Sequence, residues 1–306
     1  MAAQVFESKA ALRQHSPPAE SPPEYAQGNY VELANLHSAR TSTESLPTYE
    51  HVAAPSSSSS PSQPSLSAAL ATTGLRPTHT YQVESQGHPL VALPFAPRPS
   101  PIRIFTVLPD GSLGPLAYQS LRQSRCSGNS TLVRADDEPL CSTTYRFGPG
   151  RAPQIQLQGE VAHDEAFQVS GKAVHTRAQN IRTHLGTFQW RYAGRQERRA
   201  IGASSLLVMD QVTSVAMPGG KTAERRRRIA QLVRSEALRS PGTTGATAGN
   251  GGRLVMDLGE WEGSKAETRA MEVLVLSGCV VMLKKEVDRR RAAQFMVLAG
   301  AAGGGP

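Results

Sequence analysis

From residue 101 onward, apolar residues recur at alternate positions in short runs, and each run closes on glycine, proline or aspartate. PIRIFTV (101–107) alternates over a β-branched stretch, LPDGSLG supplies a turn, and PLAYQSL follows as a second strand. STLVRA, TTYRF, QIQLQ, AFQVSGKAV and GTFQWRYAG continue the pattern, with FGPG as a further turn. ASSLLVMDQV reads as a buried strand, and GGRLVMDL as another. Strands this short and this closely spaced predict an antiparallel barrel or sandwich rather than βαβ units. Helical spacing comes late. KTAERRRRIAQLVRSEALRSPG (221–242) sets Ile229, Leu232, Val233 and Glu236 on one side and ends at Pro241-Gly242, which predicts a helix. The last segment, MEVLVLSGCVVMLKKEVDRRRAAQFMVLAG (271–300), fits either a strand then a helix, or one long helix containing Gly278. As a helix its first half is apolar on nearly every face, which requires burial on all sides.

The first 95 residues have no such pattern. They contain SSSSSPSQPS, repeated Pro steps and few branched aliphatics, too little apolar surface to offset the chain entropy of folding. The expected organisation is a disordered region over 1–95, a β-rich domain over 96–300 with a buried C-terminal helix, and a disordered tail over 301–306. Charge follows the same division. Residues 1–95 hold four Lys/Arg and seven Asp/Glu, whereas the remainder holds 29 and 18, a net of +11.

Strands closed by an almost wholly apolar helix, with EVLVLSGCVVMLKKEVDRR ending that helix in charge, resemble the tubby C-terminal-like superfamily, which includes the LURP-one-related proteins and phospholipid scramblases. GTFQWRYAGRQERRA, SSLLVMD, GNGGRLVMDL and VVMLKKEVDRRR also resemble segments of fungal proteins that carry a disordered N-terminal region. The superfamily resemblance implies a β-barrel wrapped around a central hydrophobic helix. It implies no particular chemistry. The superfamily includes phosphoinositide binders, so it also brings anionic phospholipid into view as a partner.

Catalytic signatures are missing. GTTGATAGNGGR (242–253) is rich in glycine but lacks the GK[ST] ending and strand–loop–helix context of a phosphate-binding loop, and it reads as a mobile connection. His175 and His184 lack metal-ligand spacing, and HDE at 163–165 reads as a solvated turn. No GxSxG elbow is present, and Cys126, Cys141 and Cys279 form no CxxC pair. We therefore expect no enzyme, no metal and no cofactor. MAAQVFESKAALRQ has no continuous apolar core of a secretory signal, and the longest apolar run, 273–283, falls short of the ~20 residues that span a bilayer. The expected location is the cytoplasm, with the nucleus as the alternative.

Two features carry binding chemistry. Arg225, Arg226, Arg227 and Arg228 form a run suited to a nuclear-import pocket or to anions, including lipid headgroups. On the expected helix their stems would otherwise cover apolar surface. No stacking aromatics accompany them, which argues against single-stranded nucleic acid. In the N-terminal region, SPPEY (Pro22, Pro23, Tyr25) and LPTYE (Leu46, Pro47, Tyr49) match the Pro-Pro-x-Tyr word and its Leu variant. Such a segment is preorganised as polyproline II for the aromatic groove of a WW domain, as found in HECT-type ubiquitin ligases. Two linked copies gain avidity. The leading expectation is a non-enzymatic adaptor recognised through these words, with binding to an anionic phospholipid surface, or nuclear import through the arginine run, as the alternatives.

Overall fold

A computed structural model describes residues 74–93, 100–124, 127–145, 151–159, 165–171, 176–216 and 222–302. They form a closed, all-antiparallel barrel in which each of twelve strands pairs with its neighbours in sequence and the first pairs with the last. The strands are β1 (His79–Glu84), β2 (Ile102–Val107), β3 (Leu113–Leu121), β4 (Ser130–Arg134), β5 (Pro139–Thr144) and β6 (Gln154–Leu157). They continue as β7 (Ala166–Gly171), β8 (Gln179–Thr183), β9 (Gly186–Tyr192), β10 (Ser205–Ala216), β11 (Thr222–Arg234) and β12 (Gly252–Met256). A short helix, α1 (Arg195–Ala200), links β9 to β10, and a long one, α2 (Lys265–Ala302), follows β12.

Helix α2 explains the barrel. Eight strands enclose just enough room for their own side chains, so twelve leave a wider bore that something must fill. The run 270–283 fills it: Met271, Val275, Leu276 and Met282 are fully buried, and Leu274, Cys279, Val281 and Leu283 nearly so. They pack in one cluster with Ile104, Phe188, Trp190, Leu207, Leu232 and Leu254 from the wall. A helix satisfies its own backbone hydrogen bonds, which makes it suited to a dry interior. Helix and wall lie close together at Gly278, where an added Cβ would be 2.5 Å from Trp190 Nε1.

Two expectations are corrected. The stretch expected as a basic helix, 221–242, is instead β11 from Thr222 to Arg234, paired with β10 over its whole length. Ile229, Leu232 and Val233 do sit at helical spacing, but they face both sides of a strand. Leu232 lies in the central core, whereas Val233 joins Ile201, Leu206 and Val208 in an outer cluster beside α1. A register shift at Met209/Asp210 leaves Ile229 as an extra residue, so Ile229 and Ala230 both reach the core. The second correction concerns the boundary expected at residue 95. Strand β1 lies before it and closes the barrel, with Tyr81 opposite Leu254 on one side and Thr106 on the other.

Buried carboxylates hold the helix in register. Near its start Glu272 accepts hydrogen bonds from the hydroxyls of Tyr81 and Tyr118, the latter at 2.9 Å. Burial, then the charge of Glu272, pushes both tyrosine pKa values well above their ordinary range. About four turns later Glu286 meets Arg234 Nη1 at 3.0 Å, the Tyr192 hydroxyl at 2.6 Å and the Gly249 N–H at 2.8 Å.

A basic, apolar-tipped pole of the barrel

Successive connections in an up-and-down barrel fall alternately at its two ends. The connections after odd-numbered strands lie at the end where α2 emerges, and those after even-numbered strands lie where it enters. Among the described residues, the exit-end connections and α2 from Lys284 to Gly300 contain twelve Lys or Arg and four Asp or Glu. The entry-end connections and α2 from Lys265 to Glu272 contain two and ten. The molecule therefore has a basic pole and an acidic pole.

At the basic pole three of the four acids are closely engaged, and Glu236 stands 93% exposed beside Arg239. Glu286 is held by Arg234, and Asp288 is paired with Lys284. Glu197 accepts from Arg191 Nη1 at 2.9 Å and Nη2 at 3.0 Å and also pairs with Arg228, while Asp210 accepts from Arg191 Nε at 2.7 Å. The bonds from Arg191 are the main reason that the Glu197 carboxyl is held down at about 2. The cations are crowded instead. Burial lowers the Lys285 pKa, and the neighbouring Arg289 lowers it further. Burial likewise lowers that of Arg122.

Hydrophobic exposure gathers at the same end. Of eleven large apolar side chains exposed among the described residues, seven lie in the loop after β1 or at the end of α2. They include Val91 at 92%, Met296 at 74% and Val297 at 72% exposed, with Leu90, Leu93, Phe295 and Leu298 beside them in sequence. Gln294 joins the two segments: its Oε1 pairs with His88 Nε2 at 2.8 Å, and its Nε2 donates to the Leu90 carbonyl at 2.9 Å. These large apolar groups are gathered on two tied segments rather than scattered singly over the surface.

The arginine run singled out from the sequence lies elsewhere, on the stretch of β11 leading from the acidic end. Its four residues alternate between the two sides of a strand. Arg226 donates to Gln189 Oε1 and to Glu224, both at 2.9 Å. Arg227 pairs with Glu260 and stacks over Trp261, with 5.5 Å from its guanidinium carbon to the ring centroid. Arg228 pairs with Glu197 on the outer face. Arg225 stands opposite Thr213 and is exposed. The run is thus divided over two faces, and three of its members meet carboxylates. The WW-type words at Pro22, Pro23, Tyr25 and Leu46, Pro47, Tyr49 lie outside the described residues.

The glycine-rich stretch turns out to be packed rather than mobile. Gly249 has φ +70°, and a Cβ there would lie 2.6 Å from Val287 Cγ2 and 2.7 Å from the Leu283 carbonyl, so only glycine lets this backbone lie against α2. Asn250 Nδ2 donates to the Thr244 carbonyl, and Ala248 bridges to His88. Cys141 and Cys279 are free thiols whose burial pushes their pKa up to about 12. His184 Nδ1 lies 2.5 Å from Glu165, while His163, Asp164 and His175 fall outside the described residues. Among the described residues, no cluster of three or more His, Cys, Asp or Glu would hold a metal, and no helix is long and apolar enough to cross a membrane.

Comparison of the chain with protein-family models, curated proteins and solved structures returns no match.

Proposed function

We propose that this chain is a non-enzymatic binding protein whose barrel docks by its basic pole onto an anionic phospholipid surface. The observation that carries this reading is the coincidence, on one end of the molecule, of an apolar tip at Phe295–Leu298 and Leu90–Leu93 with Arg289, Arg290 and Arg291 behind it. Apolar side chains enter the headgroup region while basic ones stay at its level and attract anionic lipid. Each Lys or Arg near such a surface contributes about 1 kcal/mol, and the contribution is screened by salt. Three of the four acids at that end, Glu286, Glu197 and Asp288, are paired within the protein, and the exposed Glu236 has Arg239 beside it. The tubby-like resemblance agrees with this reading, since that superfamily includes phosphoinositide binders.

Cosedimentation of the full chain with vesicles tests it. Binding is expected to vesicles containing phosphatidylserine and to fall steeply with salt, with little binding to pure phosphatidylcholine. Joint Arg290→Gln and Arg291→Gln replacement is expected to weaken binding by about tenfold or more. Met296→Asp is expected to weaken it similarly, and Arg225→Gln on the hairpin to leave it unchanged. Equal binding by all three variants would overturn the assignment of the pole.

A second reading rests on the two WW-type words, which both precede the first described residue. We propose that they recruit a WW-domain protein of the HECT-type ubiquitin ligase class, leaving the barrel free to dock. The Tyr ring is the large anchor in such a groove, so its truncation removes most of the binding. In titrations of the full chain with WW domains, Tyr25→Ala is expected to cost more than Tyr49→Ala, because PPEY keeps both prolines. A double variant that binds as well as the wild type would eliminate this reading.

A further inference from the structure

A cavity of about 120 Å³ lies inside the basic pole, between α2 and the ends of β2 to β5, and is partly open to solvent. Helix residues Val281, Leu283 and Val287 together with Ile102 supply apolar wall, while Ser120 and Ser130 contribute only small side chains. That mixture leaves space where the neighbouring wall is filled. An apolar cavity of ~150 Å³ holds a benzene-sized group, so this one takes the first few carbons of a chain. Cations border the same space. Arg122 and Lys284 both line it, and Lys284 Nζ also lies 5.0 Å from the centroid of the Tyr145 ring. Tyr145 lines the cavity too, and its buried hydroxyl has no hydrogen-bond partner among the described residues. Lys284 is shared with Asp288, whereas Arg122 has no carboxylate of its own at ion-pair distance among the described residues.

We propose that this cavity binds a single-chain anionic amphiphile, with a few carbons of its chain among Ile102, Val281 and Val287 and its phosphate or carboxylate head at Arg122 and Lys284. The apolar wall alone would accept any small hydrophobe. The adjoining cations select one that ends in an anion. The proposal rests on the membrane-facing reading only for the source of the amphiphile, which comes either from a bilayer or free from solution.

Octyl phosphate is a suitable probe, with octanol and inorganic phosphate as its two halves. Calorimetric titration of the full chain is expected to give one-to-one binding of octyl phosphate and at least about tenfold weaker binding of either half. Ser120→Leu fills the cavity and is expected to lower octyl phosphate affinity by about tenfold or more, while Arg122→Gln lowers it similarly without changing octanol. Should Ser120→Leu not unfold cooperatively, Ser130→Leu makes the same test from the neighbouring strand. Octyl phosphate binding that is unaffected by the cavity-filling variant, or that is matched by inorganic phosphate, would overturn the proposal. Phosphatidylserine vesicles separate the two readings. Loss of octyl phosphate with vesicle binding intact places the failure of the variant in the cavity, as the proposal requires. A wild-type chain that binds vesicles but no octyl phosphate refutes the cavity alone, and one that binds octyl phosphate but no vesicles refutes the surface alone. Uptake of the amphiphile from loaded vesicles, against uptake from solution only, identifies its source.

Discussion

Leu276→Asp is expected to leave no folded barrel. Leu276 is fully buried at the middle of the enclosed run 270–283 of α2, in one cluster with the inward side chains of the wall. An uncompensated buried charge costs several kcal/mol, and a domain has only ~5–15 kcal/mol of stability to lose. The milder Leu276→Ala should retain the fold and cost about 2–5 kcal/mol, set by how far the wall relaxes into the space. Soluble yield and urea unfolding of the two variants provide the measurement. If the Asp variant is soluble and melts cooperatively near the wild-type midpoint, α2 does not form the centre of the barrel.

Glu286→Ala has the second-largest expected effect, about 3–5 kcal/mol, because it strands the Arg234 guanidinium. Arg234 is 5% exposed at its side chain and Glu286 9%, so water cannot replace the missing partner. The carboxylate also receives the Tyr192 hydroxyl and the Gly249 N–H, and both lose their acceptor. Removing both charges as Glu286→Met with Arg234→Met should restore most of the loss, since the buried pair stabilises chiefly by avoiding a lone charge. A double-mutant cycle in urea reads the coupling. A coupling near zero would mean that the glycine-rich connection, rather than this pair, sets the helix register.

Much of the barrel is legible in alternation. PIRIFTV, STLVRA, QIQLQ and GTFQWRYAG each place their alternate residues inward, and the structure puts strands on all four. The buried helix is legible for another reason: residues 273–283 are apolar on every face, which only a fully enclosed element tolerates. Strand β11 is not legible. Its two faces are both buried past Arg228, so apolar residues occur without a period of two and mimic the spacing of a helix. Strand β1 is hidden by its neighbours in sequence, because HTYQVE sits in proline-rich chain and one of its two partners, β12, lies across most of the molecule. The cavity is equally invisible, as Ser120, Tyr145 and Val281 meet only in space. The two poles did leave a trace. ADDE follows β4 and RQERR follows β9, so the sign of charge alternates with the connections, but the alternation means something only once the strands are known to run up and down.

The order in which the barrel is made has a consequence for its biogenesis. The filling of its bore is the last part of it to be synthesised. At ~5–20 residues per second, roughly ten to forty seconds separate the emergence of Ile102 from that of Leu283. Throughout that interval the inward faces of successive strands exist without the helix that will cover them, and the seam between β1 and β12 cannot close until Met256 has left the ribosome. Open strand edges and apolar faces of this kind invite association between nascent chains. A ribosome that terminates early therefore releases an unfinished shell whose inner surface is its most adhesive one. The helix acts on the fold as a plug acts on a mould.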